Sequence, residues 1–310
     1  MDIFITLFVQ IIPLLALIGI GYVAGKKLSV NMHSMSMLSI YILVPFVIAI
    51  SLMQIELKPS YIAVPIFLFF ICAALCHIAN SLGKRFLDKE YRPLMPLLGG
   101  TANTGYFGIP IVTALLGPAA IGVYMLFNMA FSVTEVTTSY YLSNRSNMDI
   151  KQSIKRVLKL PPLYGIIAGF LLNITHVTLP DVVYTYWTHA TGAFIIIGMM
   201  LIGVGISQLK GLEINLKFTG LCFIHKYLIW PLTFTALIIF DKNVTHLLDS
   251  DAHLMLFLLG VCPLPANAVA YATQLKLPAE ETAVAILLST IFALVYVPST
   301  IGLYYMFIAS

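Results

Sequence analysis

Two interrupted apolar segments, residues 99–110 and 262–267, contain the side chains best suited to binding chemistry. Both lie in runs long enough to cross a bilayer, yet both contain residues that stop a helix. Backbone groups freed at that depth cost several kcal/mol unless protein, ligand or ions satisfy them. Two such interruptions in corresponding halves of a chain are typical of a transporter's binding site. The candidate substrate-binding residues at the two breaks are Asn103, Thr104, Gly105, Pro110, Pro265 and Asn267.

The chemistry of these breaks suits an anion. Pro110 lacks an amide hydrogen and uncouples the carbonyl groups before it, while Asn103 offers a side-chain amide where the backbone is open. A helix that restarts after a break directs amide groups and a partial positive charge towards the membrane centre. The alternative interpretation is a pair of ordinary proline kinks that neighbouring helices repair. Two clustered breaks favour the binding site.

Polar residues in the span after the first break extend the candidate site. Asn128 and Glu135 share one helical face, and we predict that Asn128 hydrogen-bonds the substrate. An ionisable residue at membrane depth is by default a functional hypothesis, so we predict that Glu135 couples transport to a proton or a cation. The alternatives for Glu135 are solvation near the cytoplasm and a structural ion pair with a lysine.

Lys226, in the inner part of the eighth predicted span, could attract an organic anion. A lysine at that depth can also extend its ammonium group to the membrane interface, and we favour this second interpretation. Five histidines at or near span ends are expected to be solvated, namely His33, His176, His189, His246 and His253.

The composition indicates an integral membrane protein. Of the 310 residues, 60% are hydrophobic and 10% are charged, whereas soluble domains have about 25% charged residues. The four cysteines lie in apolar runs and form no disulfide or zinc pattern, so we expect neither a metal site nor a cofactor. The net charge of +4 does not indicate nucleic-acid binding. The apolar run to Ala24 is too long for a signal peptide, and we interpret it as a retained first span.

Hydrophobic runs of roughly 20 residues predict ten transmembrane helices. Their ranges are 3–24, 34–54, 61–82, 93–116, 118–141, 159–176, 188–207, 217–240, 252–273 and 282–306. Lysine and arginine counts in the loops predict the orientation. One set of alternate loops contains fourteen basic residues, and the other contains only Lys58 and Lys242. We therefore predict a cytoplasmic loop at 142–158 and both termini outside the cytoplasm.

The basic loop divides the chain into two five-helix halves. An odd number of helices in each half gives the halves opposite orientations in the membrane. The first span contains a proline–glycine pair that begins at Pro13, and the sixth span contains a similar pair that begins at Pro161. This similarity supports an inverted repeat. The predicted fold is all-α, with a first repeat at 1–141, a cytoplasmic basic linker at 142–158 and a second, inverted repeat at 159–310.

The two broken segments resemble signature regions of the auxin efflux carrier family. Residues 103–111 are similar to its Asn-Thr-Gly…Gly-x-Pro signature, and residues 262–268 resemble its second break, with Asn267 where plant members have a proline. The resemblance implies a ten-helix fold in which broken helices 4 and 9 cross within a transport domain, beside a scaffold domain of helices 1, 2, 6 and 7. It also implies organic anions, typically carboxylates, as substrates, and homodimers formed through the scaffold. The small size suggests a bacterial inner-membrane protein.

We therefore expect a secondary transporter that moves a small organic anion by alternating access and has no catalytic residues. The sequence contains neither a phosphate-binding loop nor a hydrolase motif, which argues against ATP hydrolysis and enzymatic activity. The alternatives are a membrane sensor or receptor with a transporter fold, and a carrier that is sodium-coupled rather than proton-coupled or uncoupled. The expected partners are the anion, the lipid bilayer, and protons or sodium, without nucleic acid.

Overall fold

A computed structural model of the protein describes residues 2–28, 30–144, 154–155, 157–208 and 214–308. The regular structure in these ranges is helical throughout, and none of them contains a strand. We number the main helices α1 to α12 in chain order.

The first half of the chain contains six of these helices. Their bounds are α1 Asp2–Lys27, α2 Ser34–Met53, α3 Pro59–Phe86, α4 Leu94–Gly99, α5 Ile109–Leu116 and α6 Pro118–Asn144. A π-helical turn, Thr104–Gly108, directly precedes α5.

The second half contains the other six. Their bounds are α7 Pro161–Ile174, α8 Asp181–Ser207, α9 Leu216–Thr245, α10 Ser250–Val261, α11 Ala268–Gln274 and α12 Ala279–Phe307. Within the described residues, six helices are long and apolar enough to cross a membrane, namely α2, α3, α6, α8, α9 and α12. Helices α7 and α10 are shorter but also apolar. By length and composition, this is a multi-pass membrane protein.

Some helices extend beyond the predicted spans. Helix α8 begins at Asp181 rather than at 188, and α9 continues to Thr245 rather than ending at 240. Hydropathy misses the end of α9 because its last turn, residues 241–245, is polar. The carboxylate of Asp181 suits a first turn because it meets the positive end of the helix dipole. Most of the predicted linker lies outside the described residues, which stop at 144 and resume at 154.

The fourth and ninth predicted helices are each divided by a break. Helix α4 ends at Gly99, and helical structure resumes at Thr104. Helix α10 ends at Val261, and helical structure resumes at Ala268. The two prolines of the second break have no amide hydrogen with which to continue the hydrogen bonding of α10. Local composition therefore decides where both helices stop.

Two pairs of helices, α1 with α8 and α2 with α7, pack closely along their lengths. A Cβ atom added at Gly203 of α8 would lie 2.0 Å from the carbonyl oxygen of Ile18 in α1. A Cβ atom added at Gly165 of α7 would lie 2.6 Å from the carbonyl oxygen of Pro45 in α2. Larger residues would push the backbones apart, so these glycines permit the close packing of both pairs.

Helix α6 is the most enclosed of the six long helices. In its most apolar window 67% of the residues are buried, against 28% for α3 and for α9. Its apolar side chains, including Phe127 and Phe131, lie in the main core together with Trp230 of α9. Polar side chains on such a helix meet other parts of the protein rather than lipid. Helix α6 therefore carries Asn128 and Glu135 into the interior.

A polar contact joins the start of α3 to the start of α10. Lys58 Nζ donates a hydrogen bond to Asp249 Oδ2 at 2.5 Å, and the amide of Ala252 donates to Asp249 Oδ1 at 2.9 Å. Partial burial alone would raise the pKa of Asp249, but hydrogen bonds from Lys58, Tyr61 and Ala252 lower this pKa overall. The hydrogen bond to Asp249, and its charge, raise the pKa of Lys58. Each group therefore stabilises the charged form of the other.

The connection between α9 and α10 is also tightly bonded. His253 Nε2 lies 2.8 Å from Asp241 Oδ2, and both side chains are largely buried. The amides of Leu247 and Leu248 donate to the same carboxylate at 3.1 and 3.2 Å. The expectation that His253 is solvated is wrong, because the turn that encloses Asp241 also encloses its partner.

Candidate functional site

The two breaks meet in the structure. The backbone amide of Asn103 donates a hydrogen bond to the carbonyl oxygen of Pro263 at 2.9 Å. The amide of Leu264 donates to Ser289 Oγ in α12, also at 2.9 Å. Backbone groups that the broken helices would leave unpaired are thus satisfied by the opposite break and by α12. This crossing brings together residues that lie far apart in the sequence.

A cavity of ≈ 460 Å³ lies at the crossing. Residues of α2, α6, α8 and α11, and of the start of α7, form its other walls. Its volume falls in the range of small-molecule sites, about 300–1,000 Å³. The cavity brings together six of the seven predicted substrate-binding residues and the predicted coupling residue, namely Asn103, Thr104, Gly105, Asn128, Pro265, Asn267 and Glu135.

Pro110, the seventh predicted substrate-binding residue, is not among the residues that line the cavity. It is the second residue of α5 and is buried. Its ring nitrogen cannot donate to the preceding turn, and that turn, Thr104–Gly108, has the wider π geometry. The structure therefore places Pro110 behind the turn that carries Thr104 and Gly105, outside the cavity wall.

Two side-chain amides leave donor groups unused at the cavity. Asn128 Oδ1 accepts a hydrogen bond from Thr104 Oγ1, while the only partner of Asn128 Nδ2 among the described residues is the sulfur of Met125, at 3.8 Å. Asn103 Nδ2 is buried and has no hydrogen-bond partner among the described residues. The hydroxyl group of Tyr124 supports this arrangement from behind, because it donates to the carbonyl oxygen of Thr104 at 3.0 Å. Unused N–H groups on a cavity wall suit an acceptor such as a carboxylate.

Glu135 is the first residue of a second π turn, Glu135–Ser139, and lines the same cavity. Its Oε1 atom is buried without a hydrogen-bond partner among the described residues. Asn267 lines the same cavity. The ion pairs of the described residues are those of Asp249 and Asp241, so Glu135 has no lysine partner there. A buried, partly unpaired carboxylate at a cavity can bind a cation or a proton.

The cavity also contains residues that the sequence analysis did not assign to it. Thr101 lines it with a hydroxyl oxygen that is buried without a partner among the described residues. Lys159, exposed, lines it just before α7. The rings of Tyr106 and Phe194 lie 5.4 Å apart on its wall. Thr101 and Tyr106 could have been found from their places in the first break, whereas Lys159 and Phe194 line the cavity because of how α7 and α8 pack.

Lys226 is fully buried, with 0% of its surface exposed, and is not among the residues that line the cavity. The interpretation that its ammonium group reaches the membrane interface is therefore wrong. The π turn that contains it, His225–Ile229, changes the direction of the side chain relative to a regular helix.

The second half of the chain is similar to a known family. Residues 190–310 match the model of the Sodium Bile acid symporter family. The match covers less than half of the chain and contains α9 to α12 with the second break. No curated protein matches the chain closely enough to support a comparison.

This match corrects the resemblance to the auxin efflux carrier family, which is a distinct family. The resemblance rested on short motifs at the breaks. Such motifs reflect the amides, glycines and prolines that any broken membrane helix needs, so they do not distinguish families. The expected homodimer rested on that resemblance alone and loses its support with it.

Proposed function

We propose that this protein is a secondary membrane transporter that binds a small organic anion at the crossing of its two broken helices. The observation that carries this proposal is the pair of amide nitrogens, Asn103 Nδ2 and Asn128 Nδ2, whose donor capacity the described residues leave unused beside one cavity. Hydrogen bonds from N–H groups to a carboxylate are among the stronger ones, because the acceptor is charged. Alternating access would open this cavity to each side of the membrane in turn.

The substrate class that we propose is an amphipathic carboxylate. Much of the cavity wall is apolar, including Met37, Phe131 and Phe194, whereas the amide donors lie near the crossing. The exposed Lys159 adds a positive charge that favours the approach of an anion. The name of the similar family agrees with this class, because a bile acid is a carboxylate with a large apolar body.

Sodium is the proposed coupling ion, in preference to a proton. The family that residues 190–310 match is named for sodium symport. A hard cation takes oxygen ligands, and Glu135, Asn267 and Thr104 offer carboxylate, amide and hydroxyl oxygens at the cavity. A cation beside Glu135 would also offset the charge of a bound anion. The alternatives to sodium coupling are proton coupling through Glu135 and uncoupled transport. A transport assay would distinguish the three.

The finer architecture that we propose is ten crossings in two inverted repeats, at 1–141 and 159–310. In this arrangement α1 would correspond to α7, and α2 would correspond to α8. The pair of α1 with α8 would therefore correspond to the pair of α7 with α2. Both pairs pack closely through glycines, which supports this relation. The two broken helices would correspond in the same way.

The orientation that we propose places the basic loops and the mouth of the cavity in the cytoplasm, in a bacterial inner membrane, with both termini outside. Lys159 and Ser36, which line the cavity, adjoin loops of the basic set. A cysteine at position 146 should resist membrane-impermeant thiol reagents in intact cells. Rapid labelling from outside would contradict the proposed orientation and favour the opposite one. The four native cysteines are buried, so the protein without the added cysteine should show little labelling and serves as the control.

Transport into proteoliposomes tests the function. A radiolabelled bile acid should accumulate when an inward sodium gradient is imposed, and a proton gradient in sodium-free medium should not drive it. Saturable uptake with counterflow would identify a carrier rather than a channel. Binding without any flux would favour the sensor. If no carboxylate binds or moves, the anion site is refuted.

A further inference from the structure

Gly198 of α8 is a glycine whose missing side chain matters to the cavity. An atom added at its Cβ position would lie 2.3 Å from Cδ1, 2.9 Å from Cγ and 3.1 Å from Cε1 of the Tyr106 ring. Gly198 is buried and is not among the residues that line the cavity, whereas Tyr106 lines it. The ring of Tyr106 therefore occupies the space that a side chain at position 198 would take.

The glycines of the closely packed helix pairs have a different role. Added Cβ atoms at Gly165 and Gly203 would meet backbone atoms of a neighbouring helix, so these glycines set the distance between helices. The three atoms nearest to a Cβ atom at Gly198 all belong to one side chain, that of Tyr106. Gly198 therefore makes room for a ring that forms part of the cavity wall.

Phe194 contacts the same ring from a second position on α8. It precedes Gly198 by four residues, so the two residues lie on one face of the helix. The ring centres of Tyr106 and Phe194 are 5.4 Å apart, with 31° between the ring planes. Both side chains are buried, and both line the cavity. Helix α8 thus supports the Tyr106 ring on one side, and the cavity is the open space beside it.

We propose that Tyr106, seated against Gly198, determines the size of the anion that the cavity accepts. A methyl group at position 198 would force the ring from 2.3 Å to an ordinary contact distance of 3.4 Å or more. The ring would move into the cavity, because Phe194 and the backbone of α8 occupy the opposite side. Glycine at this position lets the ring lie back against α8, so the cavity has room for a carboxylate with a bulky apolar body.

This inference deepens the proposed function, since it assumes an organic anion in the cavity and assigns the wall that limits its apolar body. Tyr106 contacts that body, whereas Gly198 is a positioning residue that acts through Tyr106. The amide donors of Asn103 and Asn128 bind the carboxylate group, which large and small substrates have in common. A change at position 198 should therefore weaken the binding of large carboxylates selectively.

Calorimetric titration with carboxylates of increasing apolar size, from butanoate through octanoate to cholate, tests the proposal in NaCl. In G198A the Kd of the largest carboxylates that bind wild type should rise about 10- to 200-fold, the effect of one methylene group in an apolar pocket. The smallest should bind about as tightly as they bind wild type. G192A adds the same methyl group to α8 where no atom lies within 4 Å, so it should give the wild-type series of Kd values.

Double variants show whether the ring transmits the effect. Y106A removes the ring, so adding G198A to it should cause no further selective loss. Y106F keeps the ring, so adding G198A to it should cause the same selective loss as in wild type. A loss that persists without the ring, or that is equal for all carboxylates, would overturn the proposal, because a distorted α8 would then be the cause. Unchanged Kd values throughout the G198A series would also overturn it.

The two proposals fail in different ways. If wild type binds no carboxylate, the proposed function fails and this inference fails with it. If wild type binds carboxylates but the variants give one of the contrary results, this inference alone is wrong. Should G198A prove impossible to purify, Y106A decides, because its larger cavity should shift the preference of the protein towards larger carboxylates. The same order of affinities as in wild type would then count against the proposal.

Discussion

The amide of Asn128 offers the most direct test of the cavity. Thr104 donates to its oxygen, which leaves the Nδ2 atom for another partner, and the described residues supply only the Met125 sulfur at 3.8 Å. Replacement by alanine removes this donor, and replacement by aspartate puts a carboxylate in its place. Both changes should weaken the binding of an anion. The loss should be larger for N128D, because like charges repel.

The magnitude follows from the bond that is lost. A hydrogen bond to a charged group contributes about 1.5–3 kcal/mol. Since 1.4 kcal/mol corresponds to a tenfold change in affinity, N128A should raise the Kd about 10- to 150-fold. T104V keeps the amide but removes the hydroxyl group that orients it, so its effect should be roughly fivefold, or about 1 kcal/mol. T104S keeps the hydroxyl group and should bind as wild type does.

Isothermal titration calorimetry with a bile acid, in the presence of NaCl, would measure these dissociation constants. The Tm without ligand is the control for folding, and it should change little in all four variants. N128D binding the anion as tightly as wild type would refute the reasoning. Equal losses in T104S and T104V would also contradict it, because the hydroxyl group would then have no role.

Three further predictions concern coupling, the polar contact at α10 and helix packing. E135Q should lose sodium-driven accumulation far more than exchange of substrate for substrate in the same vesicles; normal accumulation would exclude Glu135 as the coupling residue. Because its contacts lower the folded-state pKa of Asp249, its contribution to stability is present above the unfolded pKa, about 3.9, and is lost as the pH falls through the lower folded value. D249N should therefore lower the Tm by a few degrees at neutral pH and by less in acid, and a pH-independent loss would contradict this. G203A should reduce the free energy of unfolding by about 1–3 kcal/mol. In G192A, on the same helix, the added Cβ atom meets no atom within 4 Å, so this variant should be neutral or stabilising. Equal effects of the two substitutions in chemical denaturation would refute the packing argument.

The breaks could be predicted from the sequence because their causes are local. Gly105 and the prolines of the second segment disturb a helix through their own backbone properties, whichever neighbours they meet. The polar face of α6 was also readable, because helical spacing alone puts Asn128 and Glu135 on one side. What these patterns predict is where the backbone opens and which polar groups lie near it.

Residues whose roles depend on packing could not be predicted in this way. Lys226 is directed inward by a π turn and by the rings around it, and no pattern in the sequence distinguishes it from a lysine that reaches the interface. Lys159 contributes to the cavity only because the start of α7 lies beside α2. The family was misjudged for a related reason, since the residues of a break report its backbone geometry rather than its ancestry.

The hydrogen bond from Asn103 to Pro263 also constrains how the protein matures during its synthesis. Pro263 follows Asn103 by 160 residues. At about 5–20 residues per second, the first break waits roughly 8–30 s after its own translation for its partner to be made. During that interval its open backbone groups can be satisfied only by water, lipid headgroups or the insertion machinery. A chain cut short before the second break would therefore stay immature in the membrane and should be removed by quality-control proteases.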